Sequence, residues 1–288
     1  MALTATAFFS RAREQISSID EDEFFTSLRV RNRNFKQTGA GRLADLNELI
    51  VGYLEHNQRR ISQVLDIGIS SGITTLELHS SLVKSGQSPK LLGTDLVLNA
   101  TLVDVPPFCR ALVDDSGDVL QYEVMGHAVR PWRRRLDFLT GMIFIRAIVN
   151  QTCASRARRL AQADSRVRRV ALISHRLTEN PDIRAIEDDV MVENAQFLQR
   201  FDLVRIANVL NREYFEPPTL RLALNHITSY LAGPGALLLV ARTNEHTGQH
   251  ATLFEVCADG SSLQAVARTG TGSEIERLVL ETSMLKNS

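Results

Sequence analysis

The sequence predicts an α/β protein built on an open, mostly parallel sheet that ends in an antiparallel strand pair. Three observations point there. Residues 63–95 read as strand, glycine turn, helix and strand, the unit from which parallel sheets are assembled. "FDLVRIANVL" (201–210) and "GPGALLLVART" (233–243) are apolar runs of strand length on either side of a helical segment at 217–231. "ATLFEVCADGSSLQAVARTG" (251–270) then offers two β-prone arms around an Asp-Gly turn.

The elements follow in order. Residues 8–60 look helical, and "RLADLNELIVGYLEHNQRR" places Leu43, Leu46, Leu49, Ile50, Tyr53 and Leu54 on a recurring face. Residues 1–60 are therefore expected to form a helical lead-in packed on a main domain of residues 61–288. In that domain "QVLDIG" is a strand, "ITTLELHSSLVKSG" a helix stopped at Gly86, and "PKLLGTDLV" a strand ending at an acid. The rhythm then breaks, and residues 96–167 read as an insertion. "CRALVDDSGDVLQYEVMGHAV" suggests a hairpin about Asp-Asp-Ser-Gly, and "RRRLDFLTGMIFIRAIVNQTCASRARRL" a long helix with basic ends. "RRVALISHRL" is either a sheet strand or an extra hairpin arm, whereas "DIRAIEDDV" returns to the sheet.

Composition excludes several function classes. With 288 residues and 44% hydrophobic content the chain has enough apolar material for one large domain or two modest ones. Its 33 basic and 33 acidic side chains cancel, so no global field draws it to nucleic acid. The three cysteines are odd in number and widely spaced, which suggests reduced thiols in a cytoplasmic protein and no metal site. "MALTATAFFSRAREQ" lacks the pattern of a secretory signal. "FLTGMIFIRAIV" (138–149) contains Arg146 and falls short of the ~20 residues a membrane span needs. Its helix, with the basic residues before it, either packs on its own domain or a second copy, as a homodimer would, or rests on a membrane surface. "RVRNRNFK" (29–36) is a solvated basic face or a holder of substrate phosphate or carboxylate.

The chemistry turns on "QVLDIGISSGITTLEL" (63–78). Gly68-x-Ser70-x-Gly72 has the spacing of a nucleophile elbow, which would make Ser70 the nucleophile of a serine hydrolase. No upstream glycine-rich oxyanion loop accompanies it, and that reading gives Asp66 and Asp95 no purpose. As a cofactor loop the stretch uses them all. Gly68 and Gly72 allow a sharp turn, the following helix aims its amides into a crevice, and Asp95 stands where an acid accepts ribose hydroxyls. Thr74 occupies the place of the third glycine of a dinucleotide fingerprint, so the loop suits a nucleoside better than a pyrophosphate.

Here the sequence resembles the class I S-adenosylmethionine (SAM)-dependent methyltransferases. "VLDIGISSG" looks like their first motif, "LLGTDLV" their acid-ended second strand, "IRAIEDDVM" their third motif and "FDLVRIANVLNREYF" their fourth. "LAGPGALLLVART" is similar to their fifth strand, and the terminal antiparallel pair is also typical of the family. Residues 201–215 resemble in particular the chemotaxis-receptor methyltransferases. The resemblance implies a Rossmann-like sheet and a SAM site. Asp66 would order the loop and approach the methionine ammonium, while Gly68, Ser70 and Gly72 shape the pocket. Asp95, with Leu96 beside it, would hold the ribose, and Asp189, or Asp188 one residue earlier, would meet the adenine amino group with Val190 alongside. Asn208 would border the methionine and the transferred methyl.

For an acceptor-side base the residues to consider are His127, Tyr214 and His175. The insertion leaves the chain directly after Asp95, so it is expected to cap the acceptor side, offering Tyr122, Glu123, His127 and Trp132. A small-molecule acceptor is favoured over a protein. The competing reading from another class is a SAM-fold protein that binds the nucleoside or a partner without transferring methyl.

Overall fold

The computed structural model describes residues 3–28, 41–105, 108–131, 142–162, 167–244 and 247–282. The basic stretch 29–36, Trp132 and residues 133–141 of the segment expected to form a long inserted helix lie outside them. In chain order the first elements are α1 (Ala5–Ser10), α2 (Ser18–Ser27), α3 (Ala44–His56), β1 (Gln63–Ile67), α4 (Ile73–Lys84) and β2 (Lys90–Asp95). The insertion contributes β3 (Asn99–Val105), β4 (Cys109–Asp114), β5 (Val119–Val124), β6 (His127–Val129), α5 (Met142–Gln162) and β7 (Val167–Ala171). There follow α6 (His175–Thr178), β8 (Ile183–Glu187), β9 (Leu203–Ala207), α7 (Pro217–Ser229), β10 (Leu237–Asn244), β11 (Gly248–Val256), β12 (Leu263–Thr269) and α8 (Glu276–Leu280). The chain divides into two compact units, residues 1–40 with 97–175 and residues 41–96 with 176–288.

The second of these units holds a seven-stranded sheet in the order β12-β11-β10-β9-β1-β2-β8. From β10 to β8 all pairings are parallel, and β11 and β12 add an antiparallel meander. This is the α/β fold class expected from the sequence. Strands buried on both faces are nearly all apolar, and β9 is buried at all five positions with Arg205 its single charged residue. Helix α7 starts at Pro217, whose missing N–H costs nothing in a first turn. Its Leu220, Ala223, Leu224 and Ile227 recur at helical spacing and pack with Leu65, Val204, Leu238 and Phe254 in the main core.

The other unit is more than the hairpin and helix the sequence suggested. The hairpin is present as β4 and β5, and Asp114 shapes its turn by accepting from the Ser116 hydroxyl at 2.7 Å and the Asp118 amide at 2.7 Å. Strands β3, β6 and β7 join it in a five-stranded antiparallel sheet, order β6-β5-β4-β3-β7. The ambiguous "RRVALISHRL" thus supplies β7, an edge strand that turns Arg168 and Arg169 outward, as solvated edges require. One cluster joins Phe8, Phe24 and Phe25 of α1 and α2 to Ala100, Leu112 and Leu120. A second joins Val149 and Ala157 of α5 to Val103, Ala111 and Val113. The helical lead-in therefore divides. Residues 3–28 bring a phenylalanine cluster, with Phe8 and Phe24 stacked at 4.0 Å, to the five-stranded sheet, while α3 buries Leu46, Ile50 and Leu54 in the unit of the larger sheet. Among the described residues no helix is long and apolar enough to cross a membrane.

Candidate functional site

Strand order points to a candidate site. From β1 the chain moves outward to β2 and β8, then returns to the other side of β1 as β9 and β10, so the order reverses between β1 and β9. In open α/β sheets ligands enter the crevice outside the carboxyl ends of the strands at such a reversal. The residues singled out in the sequence stand at the carboxyl ends of four adjacent strands. Asp188, Asp189 and Val190 follow β8, Asp95 ends β2 with Leu96 after it, Gly68 to Gly72 follow β1, and Asn208 follows β9.

The turn after β1 is built by backbone geometry. Gly68 and Gly72 both have φ of 82° and Ser70 has φ of 57°. The Gly68 and Ile69 amides donate to the Thr94 carbonyl at 2.7 and 3.0 Å, which ties the turn to the end of β2. The Ser70 amide donates to Asp95 Oδ2 at 2.6 Å, so the acid ending β2 is oriented by the turn itself. The glycines answer a packing need that the sequence reading did not include. A Cβ on Gly68 would lie 2.2 Å from Val209 Cγ2, and one on Gly72 would lie 2.1 Å from Leu177 Cδ1. The Ser70 hydroxyl oxygen is buried, which does not suit a nucleophile that must meet substrate.

Behind the turn lies a buried charge network that sequence reasoning missed. Arg205, 1% exposed in the middle of β9, sits beside Asp66 of β1 in the parallel register. Its Nε donates to Asp66 Oδ1 at 2.8 Å and one terminal nitrogen to Asp66 Oδ2 at 2.6 Å, the fork-on-fork geometry of a strong ion pair. Arg205 also donates to Asn47 Oδ1 and to the Thr74 carbonyl, each at 3.0 Å, and Thr75 Oγ1 donates to Asp66 Oδ2 at 2.7 Å. The pair thereby grips the first turn of α4 and the strand that leads into the glycine turn. One sign was present in the sequence. An arginine inside the apolar run "FDLVRIANVL" needs an acidic partner, because a buried charge persists only when paired.

At the other strand ends, the Asp188 amide donates to the Asp95 carbonyl at 3.0 Å and its carboxylate accepts from Asn194 Nδ2 at 2.8 Å. Burial pushes the Asp188 carboxyl above the usual range, and neighbouring Asp189 adds to this against the opposing bond from Asn194. Asp189 is exposed and accepts from the Met191 amide at 3.0 Å, while the Val190 carbonyl lies 3.1 Å from His226 Nδ1. Asn208, in the left-handed region at φ 62°, bridges to β10. Its Oδ1 accepts from the Thr243 amide at 2.6 Å, and its Nδ2 donates to Thr243 Oγ1 at 3.1 Å.

The acceptor-side candidates fall in both units. Tyr214 belongs to the unit of the larger sheet, 56% exposed on a turn held by Asn211 Oδ1, which accepts from the Glu213 and Tyr214 amides at 3.0 and 2.9 Å. His127 and His175 belong to the other unit. His175 stacks on Phe8 with centroids 6.2 Å apart, a packing role, and its amide donates to Glu21. His127 is exposed on β6 and lines a cleft of about 520 Å³ with Leu3, Thr4, Arg11, Asp20 and Glu23. Among the described residues there is no cluster of histidine, cysteine and carboxylate groups fit to hold a metal ion.

No protein family matches the chain, and no curated protein matches it in sequence. Similar solved structures include the N-methyltransferase NodS from Bradyrhizobium japonicum in complex with S-adenosyl-L-homocysteine, 15% identical over 72% of this chain and 65% of that one, TM-score 0.33. They also include the CMeT domain of the citrinin polyketide synthase, 12% identical over 70% and 36%, TM-score 0.35. A third is the PH0226 protein from Pyrococcus horikoshii OT3, 12% identical over 82% and 78%, TM-score 0.35. The chain thus spans 36% of the citrinin synthase chain and 65% of NodS. Likeness at these scores bears on neither chemistry nor acceptor.

Proposed function

We propose that the carboxyl ends of β8, β2, β1 and β9 bind S-adenosylmethionine and that the protein transfers its methyl group to an acceptor, a small molecule in preference to a protein. The observation that carries this reading is the bond from the Ser70 amide to Asp95 Oδ2, which sets an acid, oriented by a glycine turn, beside the reversal of strand order. The donor and acceptor set suits a nucleoside. Asp95 accepts from ribose hydroxyls, and the Asp188–Asp189 pair faces an adenine amino group with Leu96 and Val190 alongside. Asp66 keeps the loop-ordering half of its expected role through Arg205.

SAM supplies a methyl carbon already activated by sulfonium charge, so this chain's task is alignment, worth effective molarities of about 10⁵–10⁸ M in favourable cases. A strong base is then optional, with His127, Tyr214 or His175, the last with its ring stacked on Phe8, as the candidates to take a proton from an oxygen or nitrogen acceptor. Residues 96–167 are assigned the acceptor side, and a cytoplasmic location and homodimer remain part of the proposal. Calorimetry with SAM and S-adenosylhomocysteine tests it. Binding of both is expected, and absence of binding by either at millimolar concentration would refute it.

One observation favours a second reading, a nucleoside-binding protein that transfers nothing. Both oxygens of Asp66 are taken up by Arg205 and Thr75, so the charge expected to meet the methionine ammonium is neutralised within the fold. Adenosine would then bind as tightly as S-adenosylhomocysteine, whereas turnover of any acceptor would exclude this reading. A fluorophosphonate probe should leave Ser70 unlabelled.

A further inference from the structure

The backbone ladder between β9 and β10 is continued by a side chain. Ala207 pairs with Ala241, and the Asn208 amide donates to the Ala241 carbonyl at 2.9 Å. In a regular parallel ladder the next rung would run from the Thr243 amide to the Asn208 main-chain carbonyl. Asn208 instead turns its backbone aside at φ 62°, and its Oδ1 takes that rung, accepting from the Thr243 amide at 2.6 Å. From there the bonds pass between side chains. Asn208 Nδ2 donates to Thr243 Oγ1 at 3.1 Å, Thr243 Oγ1 donates to Gln249 Oε1 at 3.0 Å, and Gln249 Nε2 donates to the Arg42 carbonyl at 2.7 Å. Thr243 of β10 and Gln249 of β11 stand opposite each other in the antiparallel register, which brings their side chains to one face of the sheet. Arg42 lies just before α3, and all four residues belong to the unit of the larger sheet.

Main-chain groups at both ends fix the polarity of this relay. An amide N–H only donates, so the atom facing the Thr243 amide is Oδ1, which leaves Nδ2 for the hydroxyl. A hydroxyl that accepts there gives its one proton to Gln249 Oε1, and Nε2 is then the atom that meets the Arg42 carbonyl, which only accepts. Reversing either carboxamide would set donor against donor at one end of it and acceptor against acceptor at the other. Asn208 therefore has one side-chain orientation, in which the second hydrogen of Nδ2 is bonded to no other group among the described residues.

We propose that Thr243 and Gln249 are positioning residues of the candidate site, holding the Asn208 carboxamide through this relay in one orientation at the carboxyl end of β9, with its second Nδ2 hydrogen left for an acceptor atom of the bound ligand. The proposal rests on the methyl-transfer reading for the identity of that ligand, SAM, and goes beyond it in naming what orients Asn208. Both residues act through Asn208. A carboxamide free to flip would offer the ligand a donor and an acceptor in turn, whereas one locked by the relay offers a donor alone and pays no ordering cost on binding.

The test uses the full chain, with S-adenosylhomocysteine as the probe in calorimetry and the side-chain amide signals of Asn208 followed by NMR, identified by their absence in Asn208→Asp. Thr243→Val keeps the main-chain amide and the shape of the side chain but removes the hydroxyl. It should shift the Asn208 signals, speed their exchange with solvent and weaken S-adenosylhomocysteine by about five- to tenfold, the worth of one lost hydrogen bond. Thr243→Ser restores the hydroxyl and should restore both readouts although it packs less well, which a purely structural role would not allow. Gln249→Leu, with wild-type circular dichroism, should move both readouts in the same direction as Thr243→Val and stands in for it if that variant does not fold. Unchanged Asn208 signals and affinity in folded Thr243→Val or Gln249→Leu, or a Thr243→Ser variant as impaired as Thr243→Val, would overturn the proposal. A wild-type chain that binds no S-adenosylhomocysteine refutes the methyl-transfer reading instead, and the Asn208 signals then decide the relay by themselves.

Discussion

Arg205→Met separates the buried network from everything around it. The variant keeps much of the side chain's volume but removes donors from Asp66, Asn47 and Thr74. Asp66, 3% exposed, is left with the Thr75 hydroxyl as its remaining side-chain donor among these contacts. Breaking one side of a buried pair costs about 3 to 5 kcal/mol, because the other charge stays behind uncompensated. Against a typical unfolding free energy of about 5 to 15 kcal/mol this is a large fraction. Urea unfolding followed by far-ultraviolet circular dichroism at neutral pH measures the loss. Asp66→Asn combined with Arg205→Met should recover part of the loss, since no charge is then stranded. A single variant within about 1 kcal/mol of wild type at neutral pH would refute the reasoning.

The remaining expectations concern the candidate site. Asp95→Ala should weaken SAM binding by about 1 to 3 kcal/mol by calorimetry, since charge-assisted bonds to ribose are lost, and unchanged affinity in a folded variant would show the acid misassigned. Gly68→Ala should destabilise by about 1 to 3 kcal/mol, because an alanine there combines φ of 82° with a Cβ 2.2 Å from Val209 Cγ2. Val209→Ala in the same chain should relieve the steric part alone, and full rescue would contradict the backbone contribution. Because burial raises the Asp188 carboxyl, its contribution is fully present below the unfolded value and lost as pH rises through the folded one. Asp188→Asn keeps an acceptor for Asn194 and should flatten that decline in melting temperature between acid and neutral pH, and an unaltered pH profile would count against it.

The parallel sheet was legible from apolar runs and glycine turns because local pattern and burial agree there. "VLDIG", "KLLGTD" and "LVRIA" are strands whatever packs on them, and the acid that closes "KLLGTD" stands at the carboxyl edge of the sheet. The second sheet was only partly legible. β7 is short and basic, and it gains its hydrogen bonds from β3, more than sixty residues away along the chain, which no local pattern announces. The division of the lead-in was likewise decided by packing, since the side chains of Phe8, Phe24 and Phe25 satisfy a helical face wherever an apolar surface is offered. The role of Asp66 turned on tertiary structure most sharply. In sequence it is an acid beside a glycine turn, but parallel register sets Arg205 next to it, and the cost of leaving either charge buried alone makes them partners before any ligand arrives.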